Sequence, residues 1–188
     1  CFREHADDEG RFDHIFYDNS AVGVIAADYL ASRGHRKVAL FNLDSTHTAY
    51  PERERSFLSR AAELGMECRH FAASEETGFN RKAYATLARR FIQEGEGVTG
   101  AFFCADQDML GIYTELLAAG YHAKKLDMIG CNGDETILQY IDPRPATIDI
   151  KVAQIGQMAV DQLMRRINGD IVGAASEIFV KPELIKGE

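Results

Sequence analysis

The chain has 188 residues, 46% of them apolar, enough for one α/β core and part of another. Its net charge is −8 with no clustered basic residues, which argues against this segment gripping phosphates of DNA itself. Four cysteines without a CxxC pair exclude a zinc knuckle and a thioredoxin-type motif, and no apolar run is long enough to span a membrane.

In chain order, Cys1 to Arg3 and His14 to Asp18 read as strand remnants. Val22, Ile25, Ala26, Tyr29 and Leu30 share one helical face, with Asn19 or Ser20 as cap and Gly34 as stop. Lys37 to Asn42 is a buried strand. A helix runs from about Glu52 to Leu64, with Phe57, Leu58 and Ala61 inward, and Glu67 to Phe71 is a short strand. Tyr84, Leu87, Ala88, Phe91 and Ile92 mark the next helix, and Ala101 to Cys104 the next strand. Met109, Ile112, Tyr113, Leu116 and Leu117 mark a further helix. Asp127 to Cys131 and Ala146 to Ile150 close the series of strands. Lys151 to Asn168 is an amphipathic helix and Glu177 to Val180 a late strand.

Strict alternation of apolar strands with helices predicts an α/β fold, a doubly wound parallel sheet in the order 2-1-3-4-5. That unit runs from about residue 19 to 147. Residues 1–18 and 148–188 have apolar faces but no complete sheet of their own, and read as parts of a second, similar subdomain.

A ligand of such a sheet sits beyond the carboxyl ends of the strands, where strand order reverses. The segments leaving those ends carry Asp44, Ser45, Thr46, His47, Tyr50 and Arg53, then Asp106, Gln107 and Asp108, then Asn132 and Asp134. Polyol recognition needs fixed donors and acceptors, and arginine, aspartate and asparagine supply them. There is no GxGxxG after a strand, no GxxxxGK(S/T), no GxSxG and no HExxH, so no enzyme signature or cofactor site is read. His35 and His47 lack partners at metal-ligand spacing. Asp106, Asp108 and Asp134 could form a carboxylate cluster, but nothing fixes a nucleophile or a base.

The string from Asp18-Asn19 to Leu30, followed by Gly34-His35-Arg36-Lys37, resembles the lactose/galactose-repressor family of transcription regulators. Glu52-Arg53-Glu54-Arg55-Ser56-Phe57 resembles that family's ER-x-x-GF stretch, and Phe103 to Met109 its F-C-A-N-D-x-M. Ile129-Gly130-Cys131-Asn132-Gly133 echoes its G-x-D-D, and Pro143 to Gly156 its P-P-L-T-T segment and the following helix. The resemblance covers nearly the whole chain, with the motifs in family order.

The resemblance implies a periplasmic-binding-protein-like core of two subdomains that binds a small carbohydrate effector between them. It implies a cytoplasmic homodimer that meets operator DNA through a separate head, with no membrane partner. The chain starts at Cys1 rather than Met, so the head and about half of the amino-terminal subdomain are expected to lie outside it. The rival within the same fold is a periplasmic sugar-binding protein of an uptake system.

Carried over by motif, the ligand-binding residues are Arg53, Asp106, Asn132, Phe79 and Tyr17. Each has a plainer reading. Arg53 sits in a charged helix turn, Asp106 can cap a helix, and Asn132 precedes a turn glycine. Phe79 can fill core, and Tyr17 lies at a crossover. Three departures alter the pocket: Asp106 replaces asparagine, Asn132-Gly133 replaces an aspartate pair, and Ser56 replaces glycine.

Overall fold

The computed structural model describes residues 12–43, 48–73, 81–122 and 125–188. In chain order the elements are β1 (His14–Tyr17), α1 (Asn19–Ser32), β2 (Lys37–Asn42), α2 (Ala49–Glu63), β3 (Glu67–Ala72), α3 (Arg81–Glu94) and β4 (Gly100–Phe103). Then follow α4 (Asp106–Ala118), β5 (Asp127–Cys131), α5 (Glu135–Leu138), β6 (Ala146–Asp149), α6 (Val152–Ile167), β7 (Glu177–Val180) and β8 (Glu183–Ile185).

One six-stranded sheet runs β3-β2-β4-β5-β6-β8. Its first five strands are parallel, in the doubly wound order expected from the sequence. The sixth is a finding that the sequence did not suggest: β8 pairs antiparallel with β6, Ile148 opposite Leu184. Residues 183–185 therefore lie on the edge of this sheet, beside β6. β1 and β7 form a separate parallel pair, with α6 packed on β1.

Alternate side chains of each strand enter opposite cores. Val38, Leu40, Phe102 and Ile129 pack with Val22, Leu30 and Phe57 beneath α1 and α2. Ala39, Phe41, Ala101, Phe103 and Met128 pack with Leu87, Phe91, Met109 and Leu116 beneath α3 and α4. Phe41 is the hub of the second core: its ring stacks on Phe103 at 4.7 Å and on Phe71 at 5.1 Å.

The approach of α1 to α2 is set by Gly23. A Cβ there would lie 2.1 Å from Ser56 Oγ, 2.3 Å from the Arg53 carbonyl oxygen and 2.5 Å from the Phe57 amide nitrogen. Ser56, the family-pattern departure, folds its hydroxyl back onto the carbonyls of Glu52 and Arg53 and leaves that approach intact. The start of α1 differs from expectation. Its cap is Asp18, whose carboxylate accepts from the Ala21 N–H at 3.0 Å. A residue in extended backbone just before the first helical one is placed for that role, which frees Asn19 for another.

The β1–β7 pair is pinned to α6 by Asp13. Arg166 donates to it from Nε at 2.8 Å and from Nη2 at 2.7 Å, and the Ser176 N–H donates at 2.7 Å. Arg166 first, then the Ser176 amide, hold the Asp13 carboxyl well below the usual carboxylate range. Val160, Leu163, Met164 and Ile167 of α6 face outward. Among the described residues no helix is long and apolar enough to cross a membrane.

Candidate functional site

Arg53 organises the crevice at the carboxyl ends of the strands. It lies in the first turns of α2, and the whole side chain is 2% exposed. Its Nε donates to Asn19 Oδ1 at 3.0 Å, and Nη2 to the Tyr17 hydroxyl at 3.0 Å. Nη1 donates to the Cys104 carbonyl and, at 3.4 Å, to Asn132 Oδ1. The Tyr17 and Tyr50 rings lie 5.5 and 5.8 Å from the guanidinium carbon, within reach of cation–π attraction. One side chain thus ties together the end of β1, the start of α1, the end of β4 and the loop after β5.

The backbone serves this arrangement. Asn132 has φ 120°, a left-handed conformation that asparagine tolerates better than most residues, and its amide oxygen faces Arg53. Tyr17 is half-buried, and burial, opposed by Arg53, raises its pKa. Cys104 and Cys131 are fully buried beneath the guanidinium. Desolvation pushes the Cys131 thiol up to about 12 and raises that of Cys104 well above its ordinary value, so both stay neutral.

Asp106 stands behind the crevice. It is 0% exposed, and both its oxygens are engaged: Oδ2 accepts from the Asp134 N–H at 2.9 Å and Oδ1 from the Thr147 hydroxyl at 2.8 Å. Burial pushes its carboxyl up to about 7, against the opposing pull of the Asp134 amide and Thr147. A Cβ on Gly130 would meet Asp106 Oδ1 at 2.1 Å, so the strand beneath is bare to admit the carboxylate. Asp106 thereby ties α4 to the β5–α5 loop that carries Asn132, and to β6.

The structure brings Arg53, Asn132 and Tyr17 into direct contact and places Asp106 one layer back. Phe79 lies outside the described residues, as do Asp44 to His47. Asn19, read from sequence as a cap, is a partner of Arg53. Its position next to the true cap, Asp18, was the available signal. Thr147 lies in the Pro143 to Gly156 segment, but nothing in the sequence there points to a hydroxyl reaching the buried Asp106. His35 is structural: its ring nitrogens meet Thr99 Oγ1 at 2.8 Å and Asp127 Oδ2 at 3.1 Å. Asp134 caps α5 by accepting from the Thr136 N–H at 2.9 Å. Among the described residues no group of three His, Cys, Asp or Glu side chains could hold a metal ion.

A family model described as a periplasmic binding protein-like domain matches residues 27–188. The sucrose operon repressor of Lactococcus lactis subsp. lactis is 26% identical over 165 residues, which is 87% of this chain and 50% of that protein. The ribose operon repressor of Haemophilus influenzae is 22% identical over 157 residues, 82% of this chain and 46% of that one. The chain spans about half the length of the curated relatives it matches. A solved LacI family transcriptional regulator from Enterococcus faecium, with bound ribose, has a TM-score of 0.79 at 21% identity, covering 93% of this chain and 64% of that chain. At that identity the likeness speaks for the fold alone.

Proposed function

Because the chain belongs to the periplasmic binding protein-like domain family, we propose that it is the effector-sensing part of a bacterial transcription regulator of the lactose/galactose-repressor kind. The observation that carries this reading is Arg53. It joins the β1 side of the molecule, through Tyr17, to the loops of the six-stranded sheet, through Cys104 and Asn132. A ligand touching that set touches both subdomains, taken as 19–147 and the β1–β7–α6 unit. Its affinity then depends on how they are oriented, and only such a difference in affinity can shift an equilibrium between orientations. In a homodimer the shift would respace two DNA-reading heads and change operator affinity.

In this reading Arg53, Asn132 and Tyr17 contact the effector, Asn19 and Tyr50 flank it, and Asp106 holds the loop bearing Asn132 in place. The effector is a small sugar or a sugar derivative, and the protein works in the cytoplasm. That the curated relatives carry the names of operon repressors favours this over an uptake protein of the same fold. The test is calorimetric titration of the full-length protein with a panel of pentoses, hexoses and uronates, paired with gel-shift on its own upstream DNA. Binding of one sugar class and ligand-dependent operator release are expected. No ligand bound and no operator complex would overturn the reading.

A further inference from the structure

Arg53 is a buried cation whose four acceptors are neutral: an asparagine amide on either side, a phenol and a backbone carbonyl. The position where the family pattern has its first aspartate holds Asn132 instead. Among the described residues, the carboxylates in the neighbourhood do not replace it. Asp106 is turned onto Thr147 and the Asp134 N–H, Asp149 is paired with Lys151 Nζ at 3.1 Å, and Glu52 is exposed to solvent. A buried charge without a counter-charge is costly unless something compensates it.

The orientation of the neighbours sharpens the point. A guanidinium only donates, so it forces each partner to present an acceptor to it. The amide oxygens of Asn19 and Asn132 are turned inward, which leaves their NH2 groups aimed away from Arg53. The Tyr17 oxygen accepts from Nη2, which leaves its own proton to donate elsewhere. Asn19, Asn132 and Tyr17 are all partly open to solvent. What these three residues offer at the mouth of the crevice is therefore donors backed by a positive charge. Each hydroxyl of a neutral sugar brings a proton that needs an acceptor, and the acceptor oxygens of this set are already turned onto Arg53 while its outward groups are donors; an oxyanion needs only donors.

We infer that this crevice selects an anionic polyol, a sugar derivative carrying a carboxylate or phosphate, over the neutral sugar of the same skeleton. The inference rests on the effector-sensing reading and names the ligand class of that same site.

The experiment is calorimetric titration of the full-length protein with D-glucuronate and D-galacturonate against D-glucose and D-galactose, with D-glucose 6-phosphate as a further arm. At least one acid is expected to bind about tenfold or more tighter than its neutral counterpart, the difference between a charged and a neutral hydrogen bond. Added salt is expected to weaken the acid and spare the neutral sugar. Binding of the phosphate ester alone assigns phosphate as the oxyanion, still within the inference. Asn132→Asp supplies the missing counter-charge and acceptor, and is expected to reduce the preference for the acid by about tenfold. Asn19→Asp, on the other side of the guanidinium, is expected to act in the same direction. Neutral sugars that bind as tightly as the acids and the ester overturn the inference while the effector-sensing reading stands. So does an unchanged acid-to-neutral ratio in both variants. Failure of every ligand to bind overturns both.

Discussion

Asp106→Asn should remove a pH dependence of stability whose sign follows from burial. In the folded chain the Asp106 carboxyl titrates near 7, against 3.8 for an ordinary aspartate, chiefly because burial disfavours the charged form. Between those values the native state holds a proton that the unfolded chain has released. Stability therefore falls as pH rises from about 4 to about 7, and is level above that. The full displacement corresponds to about 4 kcal/mol, an upper figure for one buried carboxyl. Asparagine keeps the acceptor for the Asp134 N–H and cannot ionise, so the fall attributable to this site disappears. The assay is equilibrium urea unfolding of the full-length protein and its variant by circular dichroism, at steps between about pH 4 and about pH 8. The difference between the two curves should change with pH in favour of the variant as pH rises. A difference that stays flat over that range would refute the burial argument for Asp106.

Gly23→Ala should cost about 1–3 kcal/mol. Two of the atoms its Cβ meets are backbone, the Arg53 oxygen and the Phe57 nitrogen, so pairing it with Ser56→Gly should not rescue it; thermal unfolding of both variants decides. Phe41→Ala should lose about 3–5 kcal/mol, because its ring contacts Phe71, Phe91 and Phe103 at once, and denaturant midpoints will report it. Thr147→Val removes a hydrogen bond that lowers the Asp106 pKa, and should move its titration further up, as read by carboxyl-selective NMR.

The sheet was legible in the sequence because every central strand is a continuous apolar run between helical periodicities, and such runs have one sensible order. β8 was not, since three residues between Pro182 and Lys186 carry no periodicity, and only the edge left open by β6 gives them a partner. In the site, Arg53 and Asn132 were found through their motifs and positions at strand ends. What sequence could not supply was direction. Asp106 looked like a crevice residue because it begins the helix after β4, but the bare Gly130 behind it and the Thr147 hydroxyl draw the carboxylate inward. Asn19 was misread for the converse reason: capping propensity belongs equally to Asp18, and which of the two caps depends on backbone geometry one residue apart.

The central proposal is that one guanidinium, that of Arg53, holds a ligand-binding crevice together. Its most direct test is the affinity of full-length Arg53→Met for whichever sugar or sugar acid the wild-type protein binds, with circular dichroism confirming that the variant is folded. Affinity should drop by about 10- to 100-fold or more, the worth of a charged hydrogen bond and its field. An unchanged dissociation constant in a folded variant would contradict the account.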